Sequence, residues 1–330
     1  MNRSDVRQAP ATTAVTPPPT RLPLNTLAVA FGLAGLAGIW SVAADQLGAP
    51  EFISTVLWVI VGAVWLGLMI AHTVRGSRTT DTLADQLRHP AQGPIAALLP
   101  VVGMLVGAQV HRVASRTGLV IVVFFVVVAA GFAAWMLAHW VDGNLRMESV
   151  HGGYFLPTVA GGYIAAGSLA HVGLPELGYC AFAVGTFFWL VIGTLILTRV
   201  AVHQDLPAPL VPTLAIFVAP PAVGGSAWFA LAGMHSDLVA MFLAGITTIL
   251  ALMQVALLPR YLRLSFSLGF WSFTFPYAAV ARFAVEWLGL EKPAEWKIWA
   301  WAVVLAISAF IVVIAVRSVA LIPRPAPRPR

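Results

Sequence analysis

Two ionisable residues stand where an apolar stretch should exclude them. Residues 269–288 read GFWSFTFPYAAVARFAVEWL, and the run holds Arg282 and Glu286. A spacing of four puts both side chains on one face of a helix, where they can form an ion pair. A charge inside a membrane span costs ~2.5–3.5 kcal/mol near the bilayer centre, so the arginine should face protein or water. Two readings stay open: a cation in the outer vestibule of a water-filled path, enriching anions, or an interfacial ion pair whose arginine snorkels to the surface. His139 and His171, at the ends of apolar runs, read as interfacial side chains, with proton coupling as the alternative. Gln109, Gln254, Ser168, Thr158, Thr274 and Ser226 are polar positions inside apolar runs. They can serve an ion or a neighbouring helix.

Several chemistries are absent from the sequence. There is no G-x-x-x-x-G-K-[ST] run and there are only two lysines, which argues against a nucleotide-driven pump. No H-E-x-x-H and no aspartate-rich pair falls in an apolar segment, which argues against a membrane protease or prenyl transferase. No segment carries an arginine ladder of the voltage-sensor kind. The single Cys180 excludes a disulfide within the chain and a cysteine metal cluster. Neither a metal nor a cofactor is expected, and the chain does not read as an enzyme.

The elements that must position these residues follow from composition. Of 330 residues, 59% are hydrophobic and 10% charged, with mean hydropathy +0.87. Soluble domains carry roughly 25% charged residues, so lipid must be the solvent for much of this surface. The net charge of +6 does not point to nucleic acid, because the charges lie at the rims of apolar segments. Residues 1–22 are Pro/Thr-rich with no apolar core and read as a disordered cytoplasmic tail. Residues 323–330 read as a short basic cytoplasmic tail, and 23–322 as one membrane domain. Ten spans are expected: 24–44, 53–74, 95–110, 119–140, 155–172, 179–199, 209–233, 238–258, 266–288 and 298–322. Fourteen Lys+Arg then fall on the side of the two ends against four on the other, with Arg282 left out. That bias places both ends in the cytoplasm of a multi-pass protein of the plasma membrane. Trp40, Trp140, Trp287, Trp296 and Trp299 read as an interfacial aromatic belt.

Proline and glycine divide the spans into two kinds. The odd-numbered spans hold Pro100, Pro157, Pro212, Pro220, Pro221 and Pro276, and the even-numbered spans hold none. Glycines number twelve in odd spans against six in even ones. Proline bends a helix and frees a carbonyl, which at membrane depth must be covered by protein or face water. Glycine lets backbones approach closely. The expected fold is therefore all-α and polytopic: ten transmembrane helices as five helical hairpins, whose bent odd-numbered members form an inner ring around a central pore. Gly35, Pro100, Gly103, Pro157, Gly161, Pro220, Pro221, Gly224 and Pro276 are the residues expected to line it or bend its walls.

Four stretches carry a resemblance. LPLNTLAVAFGLAGLAGIW (22–40), LRHPAQGPIAALLPVVGMLVG (87–107), GGYFLPTVAGGYIAAGSLA (152–170) and GFWSFTFP (269–276) are similar, in order and spacing, to the first, third, fifth and ninth helices of the tellurite-resistance/dicarboxylate transporter family. That family takes in bacterial TehA-like proteins, fungal malate and sulfite transporters and plant slow anion channels. The resemblance implies five hairpins around a pore, a homotrimer with one pore per subunit, anion permeation, and a phenylalanine in the ninth helix that blocks the pore. That phenylalanine matches Phe275, the second of W-S-F-T-F. Arg282 and Glu286 match no feature of the resemblance.

With Phe275 as reference, Arg282 lies seven residues on and Glu286 eleven, both within about 20° of its direction on a straight helix. Pro276 is expected to disturb that phase. A benzyl group across a narrow pore strips an anion of water and offers nothing in return; the alternative is a packed aromatic. The function expected is an anion channel or transporter for small anions: a C4-dicarboxylate such as malate, or inorganic anions such as chloride, nitrate, tellurite or sulfite. Membrane lipid is the other partner. The alternatives are a proton-coupled dicarboxylate or oxyanion carrier and, further off, an unrelated ten-span metabolite exporter.

Overall fold

The computed structural model describes residues 21–321. Residues 1–20 of the expected N-terminal tail and all of the expected tail 323–330 lie outside the described residues. The inner end of the N-terminal tail is tied down. The Arg21 guanidinium donates to the carbonyls of Asp81 (2.6 Å) and Gly76 (3.3 Å), and Gln86 Nε2 donates to the Leu22 carbonyl (3.2 Å).

Ten helices correspond to the ten expected spans: α1 (Leu27–Leu47), α2 (Glu51–Gly76), α3 (Leu98–His111), α4 (Ser115–His139), α5 (Gly161–His171), α6 (Pro175–Val202), α7 (Ala219–Ala232), α8 (Leu238–Tyr261), α9 (Trp271–Glu291) and α10 (Trp296–Ala320). Among the described residues there is no strand. A six-residue helix, Leu83–Arg88, lies between α2 and α3 and has no counterpart among the expected spans. Its start is set by a capping box: Thr82 Oγ1 accepts from the Asp85 amide (3.1 Å), and the Asp85 carboxylate accepts from the Thr82 amide (3.1 Å).

Eight helical segments are long and apolar enough to cross a membrane, so the chain is a multi-pass membrane protein. The expected fifth and ninth spans are not among these eight. The fifth is glycine-rich and broken by changes of helix type, and the ninth carries Arg282 and Glu286. Burial alternates along the chain. In the segments holding α1, α3 and α7, 61, 56 and 67% of the most apolar window is buried in protein. In α2, α4, α6, α8 and α10 the share is only 17 to 28%. The latter are apolar on every face, as in LVIVVFFVVVAAGFAAW, so their side chains suit lipid all round.

The odd-numbered segments do not start as α-helices. A 3₁₀ turn precedes each: Leu24–Thr26, Gly93–Ala97, Gly152–Phe155, Ala208–Val218 and Leu268–Phe270. A wide π-type turn, Leu156–Ala160, follows the third of these and contains Pro157. Pro100, Pro220 and Pro221 fall in the first turn of α3 and α7, where a missing N–H leaves no gap in the ladder. They mark junctions of helix type rather than mid-helix kinks, which corrects the expectation of bending at those three. α9 runs unbroken through Pro276 to Glu291, so the expected disturbance of phase does not arise. α8 extends beyond its expected end and takes Pro259 into its last turn.

Packing pairs α1 with α2, α3 with α4, α5 with α6, α7 with α8 and α9 with α10. The odd helices also pack on one another: α1 on α3 and α9, α3 on α5, α5 on α7, and α7 on α9. Glycine permits the closest of these approaches. A methyl added at Gly32 would lie 2.0 Å from Thr274 Oγ1, and one at Gly35 would lie 2.8 Å from the Ala278 methyl.

Candidate functional site

Two cavities meet at the Phe275 side chain. One opens toward the end of the bundle where the described chain begins and ends, and includes Asn25, Phe31, Thr213 and Ser272 in its wall. The other opens toward the far end and includes Ser41, Asp45, Gln109, Arg112, His171 and Arg282. They have three residues in common: Phe275, Tyr163 and Val223. The cavities hold about 70 and 160 Å³, room for several waters each at roughly 10–15 Å³ of such space per molecule. Phe275 is only 9% exposed.

The chain positions that ring from both sides. α9 carries it one residue before Pro276, and the α1 glycine face lets the two backbones close on each other. The Phe31 ring stacks on Phe275 with centroids 3.6 Å apart and planes 14° from parallel. A methyl at Gly35 would sit 3.3 Å from the Phe275 ring, so the glycine leaves the ring its place. Phe31, Tyr163 and Val223 were not singled out from the sequence. Phe31 had a signal: it precedes Gly32 in the FG-x-x-G run and falls within about 40° of both Gly35 and Gly38 on α1.

The far cavity carries charged and polar side chains in an otherwise apolar wall. Arg282 Nε donates to Glu286 Oε1 at 2.9 Å, and Ser226 Oγ donates to the other carboxylate oxygen, Oε2. The Glu286 side chain is 7% exposed and the Arg282 side chain 31%. Both readings of the pair therefore hold in part: it is an i,i+4 ion pair, and its arginine faces a cavity. At the mouth, Arg112 Nη2 lies 3.2 Å from Asp45 Oδ1, with both side chains about half exposed. His171 Nδ1 lies 2.7 Å from the Gly167 carbonyl oxygen. A carbonyl only accepts, so Nδ1 carries the proton and Nε2 is left free to accept. By contrast, the cavity at the terminal end has no charged residue in its wall among the described residues.

The remaining candidates divide. Gly35, Pro220 and Pro276 line one of the cavities, as do Gln109, Ser168 and Ser226. Pro100, Gly103, Pro157, Gly161, Pro221 and Gly224 line neither. Gly103 packs on the Phe125 ring and Gly224 on Tyr163. Thr274 Oγ1 is fully buried and donates to the Trp271 carbonyl at 2.7 Å. Gln254 is held in a buried network, accepting from Tyr261 and Tyr277 and donating to the Leu214 carbonyl. His139 lies against Trp135 at the end of α4, away from both cavities. Trp40 Nε1 donates to Ser308 Oγ at 3.0 Å.

Comparison with known proteins places the chain among anion channels and their relatives. The family described as SLAC1, voltage-dependent anion channel, matches residues 21–319. The tellurite resistance protein TehA homolog of Haemophilus influenzae is 25% identical over 267 residues, covering 81% of each chain. The S-type anion channel SLAH2 of Arabidopsis thaliana is 25% identical over 304 residues, covering 90% of this chain and 58% of its own. The guard cell S-type anion channel SLAC1 of the same plant is 23% identical over 266 residues, covering 78% and 48%. The chain thus spans about half the length of these plant relatives and most of the bacterial one. Its resemblance to the tellurite-resistance/dicarboxylate transporters is borne out. This chain belongs to the SLAC1 family of voltage-dependent anion channels.

Proposed function

We propose that small anions cross the membrane along the axis enclosed by α1, α3, α5, α7 and α9, and that the Phe275 ring closes the path at mid-depth. The single observation that carries this reading is the position of Phe275 as common wall of the two cavities. The unbroken cycle of packing among the five odd helices supports a ring, and their high burial beside the lipid-suited even helices supports five hairpins. All ten helices then span the bilayer. The two missed by apolarity carry their polar and glycine positions inward, where lipid does not meet them.

An uncharged inner cavity suits conduction, because an ion bound weakly can leave. A benzyl ring in that path excludes water and turns the negative density of its face toward an approaching anion. Movement of the ring to another rotamer opens the route. Gly35, Pro220 and Pro276 line it, and Arg282 with Glu286 forms the charge pair of the outer vestibule. Both ends of the chain lie in the cytoplasm of a plasma-membrane protein, since the cations concentrate on that side. The assembly is a homotrimer with a path in each subunit. Chloride, nitrate, tellurite, sulfite and a C4-dicarboxylate such as malate are the substrates to compare.

His171 in the wall of the outer cavity favours a second reading, a proton-coupled carrier. One experiment separates the two. Purified protein in liposomes is loaded with chloride, nitrate or malate, and efflux is followed with and without a pH gradient. Efflux set by the anion gradient and membrane potential alone supports the channel. Uphill anion movement driven by the pH gradient supports the carrier, and no efflux above protein-free liposomes from either the wild type or Phe275→Ala rejects both.

A further inference from the structure

We infer that Arg282 is a shape-selective site for planar oxyanions and carboxylates, the class including formate and nitrate, and that it sets the order in which anions pass. The inference rests on the reading of the two cavities as one anion path. Glu286 takes a single hydrogen bond from Arg282, through Nε, and Ser226 fixes the carboxylate from its other oxygen. The guanidinium is thereby held from one side. Its outer edge, Nη1 and Nη2, takes no side-chain or backbone acceptor among the described residues. Nη1 faces α1 at Gly38, where an added methyl would be in ordinary van der Waals contact with it at 3.6 Å; the glycine leaves that volume to the outer cavity, which both residues line.

Two parallel N–H groups match two oxygens of a planar anion and match a spherical halide poorly. Net charge does not supply the recognition. Arg282 is paired with Glu286, which sits behind the wall, and Arg112 with Asp45, so each cation beside the cavity has a carboxylate partner. What remains at Arg282 is an oriented pair of donors, held in a site that is only 31% exposed.

Dehydration and shape make opposite forecasts, and that separates them. Iodide sheds water readily and has no planar oxygen pair; formate holds water more tightly and has one. Permeability ratios are measured from reversal potentials in planar bilayers, with Phe275→Ala to keep the path open, and then with Phe275→Ala plus Arg282→Lys. Lysine keeps the charge and loses the fork. The formate-to-iodide ratio is expected to fall on the order of fivefold in the lysine variant. An unchanged ratio in a conducting Arg282→Lys variant overturns the inference and leaves the path intact, whereas absence of anion current from Phe275→Ala itself removes the path and the inference with it. Should Arg282→Lys not fold, the melting midpoint of the wild-type protein in detergent decides. A higher midpoint in formate than in chloride at equal concentration supports the site, and equal midpoints overturn it.

Discussion

The Phe31 and Phe275 rings lie face to face, 3.6 Å between centroids, each from a different helix and each in the wall of the same cavity. In the proposed reading the plug is a pair: one ring blocks and the other holds it. An aromatic stack contributes roughly 0.5–1.5 kcal/mol beyond burial. Phe31→Ala should therefore raise the population of displaced Phe275 roughly two- to tenfold, since 1.4 kcal/mol is a factor of ten. Steady-state anion current per molecule is the measurement, and the variant should fall between wild type and Phe275→Ala. A current equal to wild type would show that Phe31 does not restrain the ring.

Glu286 offsets the one cation deep in the outer cavity. Glu286→Gln keeps one oxygen to accept from Arg282, turns an amide donor toward the Ser226 hydroxyl in place of the second oxygen, and removes the charge. An anion in the cavity then meets an uncompensated guanidinium, an effect of about 1–2 kcal/mol at partly screened separation. Conductance of the opened path at low anion concentration should rise several-fold, and the gain should shrink in high salt.

Stability depends on where glycine meets a side chain that cannot retreat. A methyl at Gly225 would lie 2.2 Å from the Phe283 ring, which is itself wedged by Phe229 and Trp287. Gly225→Ala should cost about 1–3 kcal/mol by overpacking. At Gly245 nothing lies within 4 Å of an added methyl, so Gly245→Ala should leave stability unchanged or slightly higher. The melting midpoints of the two purified variants provide the comparison.

Acid should weaken the fold through one buried histidine. His151, just before the fifth segment, is fully buried; its Nδ1 accepts from the Gly153 amide, and Nε2 has no partner among the described residues. Burial pushes its imidazole down to about 4 from the ordinary 6.5. Above pH 6.5 the ring is neutral folded and unfolded, and contributes no pH dependence. Between 6.5 and about 4 only the unfolded chain takes the proton, so stability falls with acid, by at most about 1.4 kcal/mol per pH unit. His151→Gln should flatten that limb of a stability–pH curve. An unchanged slope would assign the acid loss to other groups.

Much of this was legible from residue pattern, because lipid makes composition speak for placement. Continuous apolar runs without proline became α2, α4 and α10, with low burial, and glycine-rich runs became the packed segments. The prolines were harder to read. A proline costs nothing in a first turn, and the sequence does not show that 3₁₀ segments would put Pro100, Pro220 and Pro221 there. Phe275 and Arg282 shared a face by simple helical arithmetic, and α9 kept that phase through Pro276. Phe31, Tyr163 and Arg112 come to the cavities from other helices, and no spacing within one segment encodes such a meeting. The helix Leu83–Arg88 was missed because six residues carry too little periodicity, although Thr82 and Asp85 spelled its cap.

The central claim is that one benzyl side chain separates the two cavities. The most direct measurement is anion current through Phe275→Ala and wild-type protein in the same planar bilayer, at matched protein amount and chloride gradient. A plug at Phe275 requires a sustained chloride current in the alanine variant, reversing at the chloride equilibrium potential, where the wild type is closed or nearly so. Equal currents in the two proteins, with both folded, would contradict it.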